Sequence, residues 1–259
     1  PYFSKGNIVN SIEIPDEARF FRIGIRLSGT GNYTLQQINL GLKRNPKELM
    51  CYLNKGKNLV LTNVYPSGNN LYRNMFVHKR VRSYKEQGLV CDLMEFNTRS
   101  GEQYREFEGV NIVSGEEDML FNVLSKSTIE TVCVHFLDER MWKVLKLFKD
   151  RIRIILWFHG AESQPWWRKK CNFITKEDEE NEKIASKRRE AMWKEIFENR
   201  ANYNIHFVFV SQAFANEVCE DYALELRKEE YSIIHNYIDT DFFKYKSKSI
   251  EQRKKILSI

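Results

Sequence analysis

Three of the five histidines in this sequence stand at or directly after short apolar runs. His135 follows Thr131–Val134, His159 follows Ile152–Phe158, and His235 follows Ser232–Ile234. Polar or small residues follow in each case: Asp138 beyond Phe136-Leu137, Gly160-Ala161-Glu162, and Asn236. Ser211-Gln212 follows His206–Val210 in the same way. An imidazole exchanges protons or hydrogen bonds near neutral pH, and a carboxylate beside it adds an acceptor. One histidine in such a place is ordinarily a satisfied structural residue, and three at one edge of a sheet weaken that reading for the set. A zinc site of His135, His159 and Glu162 finds no support in spacing, because no HExxH or Cys/His motif is present. Ser211 lies in Val210-Ser211-Gln212-Ala213, which lacks the GxSxG turn that exposes a nucleophilic serine.

Two loops add to this set. Asn63 to Asn74 is a small, polar stretch leading toward a helix, and backbone N–H groups at such a place suit a phosphate or a sugar hydroxyl. It is neither GxGxxG nor GxxxxGK[ST], so dinucleotide and Walker-type readings fail. An ordinary turn with Ser67 or Asn69 as N-cap is the competing reading. Trp166-Trp167-Arg168-Lys169-Lys170 places two indoles beside three cations. They can stack on a sugar ring, lie at a membrane interface along with the basic stretch Met141–Arg153, or anchor a loop.

The elements that must hold these residues read as α/β. Leu59–Thr62, Leu89–Phe96, Val110–Val113, Thr131–Phe136, Ile152–Phe158, His206–Val210 and Ser232–Ile234 are nearly continuous apolar runs, as in strands covered on both faces. Helical patterns fall between them: Asn70–Gln87 closed by Gly88, Glu116–Ser125, Glu139–Lys149 and Ala213–Leu226. A longer helix starts near Thr175, with an apolar stripe of Ile184, Met192, Trp193, Ile196 and Phe197 and a solvated charged face over 176–200. This alternation predicts a Rossmann-like parallel sheet with helices on both faces over 58–245, where ligands bind beyond the strands' carboxyl ends. Ahead of it, alternation over 21–27 and 33–40 about Ser28-Gly29-Thr30-Gly31-Asn32 predicts a short antiparallel β segment over 1–45, the end of a β-sandwich. Residues 46–57 read as a linker.

Composition bounds the function. The 259 residues carry 41 Lys+Arg against 35 Asp+Glu, a net +6 too mild for nucleic acid to be the main partner. Hydrophobic residues at 42% rule out a disordered chain, and apolar runs of at most five residues, such as Ile154–Phe158, cannot span a bilayer that needs ~20. Five scattered cysteines without a CxxC pair fit reduced thiols in a cytoplasmic protein. The chain opens Pro1-Tyr2-Phe3 without a signal peptide and reads as a piece of something longer.

Several segments, in order, resemble the family 4 retaining nucleotide-sugar glycosyltransferases of GT-B fold. They are Leu61-Thr62-Asn63-Val64-Tyr65-Pro66-Ser67, Phe76-Val77-His78 with Arg80-Val81, Glu108-Gly109-Val110, Phe158-His159-Gly160-Ala161-Glu162, Val208-Phe209-Val210-Ser211 and His235 through Phe243. Arg253-Lys254-Lys255-Ile256-Leu257-Ser258-Ile259 resembles the first strand of that family's second Rossmann domain, giving 246–259 as the start of a nucleotide-binding domain. The resemblance covers about 58–259 and implies an acceptor-side N-terminal domain, transfer of a sugar to an acceptor hydroxyl with retention, and no metal or other cofactor. It places His159 near the transferring sugar. Ser67, Gly68, Asn69, Ser211 and Asn236 fall on the donor side, and Arg73, His135, Glu162, Trp166 and Trp167 on the acceptor side. Implied partners are a nucleotide sugar and a glycan or lipid-linked acceptor of surface polysaccharide biosynthesis. The implied location is cytoplasmic, with peripheral contact at the inner face of the cell membrane. The first loop departs from the family's paired glycines. Because the chain ends ahead of the family's donor-gripping residues, it is expected to be inactive alone. A carbohydrate-binding or scaffolding protein of the same fold is the alternative.

Overall fold

A computed structural model describes residues 49–53, 55–96, 102–236, Lys244 and Ser247. The β segment expected over 1–45 and, Ser247 apart, the second-domain start at 246–259 lie outside these residues.

Eight strands form one sheet: β1 (Asn58–Thr62), β2 (Cys91–Phe96), β3 (Gln103–Phe107), β4 (Val110–Gly115), β5 (Thr131–His135), β6 (Arg153–Phe158), β7 (Ile205–Phe209) and β8 (Tyr231–Ile233). Their order is β3-β4-β2-β1-β5-β6-β7-β8. All pairs are parallel except β3 with β4. Without β3 this is the doubly wound Rossmann order, and its direction of winding reverses between β1 and β5.

The helices are α1 (Met75–Glu86), α2 (Glu117–Lys126), α3 (Glu139–Leu145), α4 (Lys176–Glu198) and α5 (Gln212–Asp221). Successive strand residues point to opposite faces, so Leu59 and Leu61 of β1 join one core and Val60 the other. The larger core takes Met119, Leu120, Val123 and Leu124 of α2, Met141, Trp142, Val144 and Leu145 of α3, Trp193, Ile196 and Phe197 of α4, and Phe214 and Val218 of α5. At its centre Phe158 lies 4.6 Å from Trp193 and 4.7 Å from Phe209, ring to ring. Each such fully buried side chain contributes ~1.5–3 kcal/mol. The smaller core lies under α1, between Val77 and Val81 and the β1–β2–β4 face.

Several boundaries differ from expectation for local reasons. Strand β5 ends at His135, because Phe136 takes a left-handed φ of 59° that breaks the ladder. Helix α1 begins at Met75 and not at Asn70, because Asn74 is left-handed, φ 47°. It ends as expected: Gly88, φ 77°, lets the Gly88 and Leu89 amides donate to Lys85 and Tyr84 carbonyls at 3.0 and 2.9 Å. Helix α5 stops at Asp221, where Ala223 (φ 48°) makes the same closure with Leu224 donating to Cys219 at 2.8 Å. In α4, Ile184 is 59% exposed while Met192, Trp193, Ile196 and Phe197 are buried. Strand β3 has no counterpart in the apolar pattern; it joins β4 through Glu108 (φ 46°) and Gly109 (φ 73°), the two positive-φ residues of a tight hairpin turn. Residues 49–53, within the expected linker, bury Leu49 and Leu53 in the larger core, and Tyr52 stacks on Tyr104 at 3.9 Å. Among the described residues, no helix is long and apolar enough to cross a membrane.

Candidate functional site

Parallel register lines up one residue from each strand near the carboxyl edge: Ser114, Glu95, Thr62, His135 and Trp157. Residues in register point to the same face, so a row of five polar-headed side chains crosses the sheet beneath α1, each at most 4% exposed. Buried polar groups must find partners, and those partners organise the site.

On the β2 side the row is closed off. Glu95 accepts from Tyr65 N at 3.1 Å, from Arg105 Nη2 at 3.0 Å and from Ser114 Oγ at 3.0 Å. Arg105 also donates to the Pro66 and Tyr65 carbonyls, at 2.6 and 3.1 Å. Tyr65 Oη donates to His78 Nδ1 at 2.8 Å, and His78 Nε2 donates to Glu108 at 3.0 Å. Burial lowers the His78 pKa against the opposing pull of Glu108, so a neutral ring with its proton on Nε2 satisfies both neighbours. The hydrogen bond from His78 in turn lowers the Glu108 pKa. This network fixes the loop after β1 and the β3–β4 hairpin.

The switch of winding between β1 and β5 falls between Thr62 and His135 of this row. Asn74, buried at the start of α1, spreads one amide over Thr62 Oγ1 (3.2 Å), Asn63 Oδ1 (3.1 Å) and the Val64 carbonyl (3.1 Å). Opposite it, His135 Nδ1 and His159 Nε2 share one hydrogen bond of 2.9 Å. The rings stack: Trp157 on His135 at 5.3 Å, His135 with His159 at 5.2 Å, and Phe136 on His159 at 4.8 Å. Phe76 of α1 closes the other side of His159 at 4.7 Å. One helical turn on, the Arg80 guanidinium sits 3.9 Å over the Trp157 ring. Burial and, second, the Arg80 cation lower the His159 pKa to about 4. Burial, His159 and Arg80 hold His135 well below the usual range. Both rings are neutral at pH 7. Two bulky or polar residues in left-handed backbone, Asn74 and Phe136, thus flank the switch point, and strained backbone of this kind concentrates at functional sites.

Glu162 lies beside the pair but faces its own loop. Gly160, φ 141°, turns the chain so that the Glu162 carboxylate accepts from the His159 amide and, at 3.0 Å, from the Gly160 amide. Trp193 Nε1 donates to the Glu162 carbonyl at 2.7 Å. Burial pushes its carboxyl up to about 7, against those two backbone bonds. Glu162 therefore positions the loop that carries His159. Among the described residues no three His, Cys, Asp or Glu side chains gather in a metal-holding cluster.

The remaining residues singled out in the sequence are dispersed. Ser67 and Asn70 pair their backbones at 3.1 and 2.9 Å, so Ser67, Gly68 and Asn69 form a closed turn within a loop, with Gly68 and Asn69 exposed. That turn does not open α1; the amides of Met75 and Phe76, ahead of the first helical bond, stand there. Arg73 and Asn236 are exposed. Ser211 caps α5, accepting from Phe214 N at 3.1 Å. Trp166 lies against Lys170 and Lys183 at 4.9 and 4.6 Å, and its amide donates to Ser186 Oγ at 2.9 Å, while Trp167 is 44% exposed. Arg168 pairs with Asp221 and Glu220, and Lys169 with Glu182, so two cations of that run are neutralised. The apolar side of the Met141–Arg153 stretch, Met141, Trp142, Val144 and Leu145, is core. Thr62, Asn74, Phe76, Arg80, Phe136 and Trp157 gather at the switch point although spacing does not single them out; a polar residue ending an apolar run is a sequence signal for Thr62 alone.

The chain matches no protein-family model and no curated protein sequence.

Proposed function

We propose that the crevice between β1 and β5 binds a sugar and that the chain is the acceptor-side half of a retaining nucleotide-sugar glycosyltransferase. The observation that carries this reading is the His135–His159 pair walled by Phe76 and Phe136 at the switch point. Aromatic faces stack on the C–H side of a pyranose, and an uncharged imidazole between them hydrogen-bonds its oxygens without a charge to desolvate. The site holds no side chain poised as a strong base, because His159 is neutral down to about pH 4 and the Glu162 carboxyl is taken up by its own loop. Retaining transfer suits such a site: the acceptor hydroxyl needs orientation, while the departing diphosphate carries the developing negative charge and is stabilised by N–H groups such as those that open α1. The order of the motifs from Leu61 to Phe243 agrees with this family. The same lack of a base also favours the second reading, a carbohydrate-binding protein without turnover.

Calorimetric titration of the full-length protein with UDP-, GDP- and CDP-sugars tests the proposal. One nucleotide sugar binds, and His159→Ala weakens its affinity about tenfold, the worth of one hydrogen bond. Binding of free sugars with no affinity for any nucleotide sugar leaves the binding-protein reading.

A further inference from the structure

Helices α2 and α3 lie side by side over the larger core and run in the same direction. At their starts Arg140 of α3 donates to Glu117 at 2.6 Å and to Glu116 at 2.9 Å. At their ends Arg151, just past α3, donates to the Leu124 carbonyl of α2 and, at 3.3 Å, to that of Ser127. Between these two ties runs a groove of about 370 Å³ whose apolar lining is Phe121, Val144 and Leu147. Phe121, whose ring lies 5.5 Å from that of Phe148, is 46% exposed. Leu147, on the 3₁₀ turn Lys146–Phe148 that continues α3, is 67% exposed. Two large apolar side chains left in water on one groove mark a surface for association.

Charge on this outer face is divided between its ends. At the start stand four carboxylates, Glu102, Glu116, Glu117 and Asp118, against two cations, Arg140 and Lys143. Glu102 lies close enough to Asp118 and Glu116 that, after burial, their charges raise its pKa, so the cations leave negative charge uncompensated there. At the far end Lys126, Lys149 and Arg151 stand against Asp150 alone. Acids at a helix start and bases at its end suit the helix dipole. On two helices pointing the same way they also polarise the whole face.

We propose that this face binds a second copy of the chain about a two-fold axis, with the helices of the two copies antiparallel. Two identical faces meet about an axis lying in the contact plane. With the axis along the helices, acids would meet acids and bases would meet bases. With the axis across the helices, the acidic end of each copy meets the basic end of the other, and Phe121 and Leu147 of both copies share the middle. The charge pattern therefore selects the antiparallel arrangement. A ten-residue helix is ~15 Å long and its neighbour lies ~10 Å away, so the face offers roughly a few hundred Å² per copy, the size of a transient contact. The inference is independent of the switch point and of what it binds.

Sedimentation velocity of the full-length protein at low salt, from ~10 μM to ~1 mM, reads the association. The expected result is a rise toward twice the mass of one chain, weakened ~tenfold or more by Leu147→Ser, which removes apolar surface from both sides of the contact. Asp118→Lys and Lys126→Glu each bring like charges together across the contact and are expected to weaken it as well. Mixed in equal amounts, these two variants should associate again, because each copy then meets the opposite charge at both ends. A monomer up to ~1 mM overturns the proposal and leaves the face to a different partner. Association that Leu147→Ser leaves unchanged assigns the contact to another surface and overturns it equally. Charge variants that associate like the wild type overturn the antiparallel arrangement. Should Leu147→Ser fail to fold, the two charge variants, both at exposed positions, still decide.

Discussion

Glu162→Gln should change how stability depends on pH, and the structure gives sign and size. The Glu162 carboxyl moves from the ordinary 4.5 to about 7 on folding. Between those two values the folded chain holds a proton that the unfolded chain releases, so Glu162 contributes stability that is fully present below about pH 4.5 and is lost as pH rises through about 7. At ~1.36 kcal/mol per pH unit the difference amounts to ~3 kcal/mol. His159 acts in the opposite sense. Its pKa falls from 6.5 to about 4 on folding, so its contribution is present above about pH 6.5 and is lost as pH falls through about 4. The two opposing contributions overlap between about pH 4.5 and 6.5, and there the wild-type protein shows little slope from this pair.

Gln keeps the shape of Glu162 and one carbonyl acceptor but has no proton to lose. Urea unfolding of wild type and Glu162→Gln at half-unit steps from pH 4.5 to 7.5 reads the difference directly, since other groups cancel. The wild type's margin over the variant should shrink by ~3 kcal/mol from pH 4.5 to 7. A margin constant within ~1 kcal/mol would refute the reasoning. It would mean that the two amide hydrogen bonds from His159 and Gly160 outweigh burial, and that Glu162 sits in the fold as an ordinary carboxylate.

Other substitutions probe the scaffold around the crevice. Asn74→Ala should cost ~2–4 kcal/mol in chemical denaturation, from three lost amide contacts and a left-handed alanine, and Asn74→Gly should recover ~1 kcal/mol of that because glycine tolerates φ 47°. Tyr65→Phe should cost ~1–3 kcal/mol by leaving His78 Nδ1 buried without its donor, again read from urea midpoints. Trp167→Ala should leave stability within ~0.5 kcal/mol, whereas Trp166→Ala should lower it by more. Co-sedimentation with anionic vesicles should fall for Trp167→Ala if this loop touches lipid, and unchanged sedimentation would assign the pair to packing.

Much of the frame is legible because continuous apolar runs leave few alternatives. Ile152–Phe158 and Thr131–Val134 can bury both faces only inside a covered parallel sheet, and histidines placed just after them must then stand at its carboxyl edge. That reasoning reaches His135 and His159, twenty-four residues apart, but not their contact, which needs the register pairing His135 with Trp157. Strand β3 is hard to see because Gln103–Phe107 is a polar edge segment, half-exposed on its outer side; its signal is the turn pair Glu108-Gly109. The start of α1 is hidden for a related reason. Nothing in Asn70–Asn74 forbids helix, and the left-handed Asn74 is held there by tertiary bonds to Thr62, Asn63 and Val64. Arg80 can be foreseen on a helix face but not as the cation over Trp157, since that contact joins α1 to β6 across the sheet.

The most direct test of the proposed sugar transfer at the β1–β5 switch point is nucleotide release by the full-length protein from the panel of UDP-, GDP- and CDP-sugars, comparing wild type with His159→Ala. The account predicts release from one donor, reduced ~100-fold or more in the variant with its folding intact. Release that is equal in the two proteins, or no release from any donor in the presence of glycan acceptors, would contradict it.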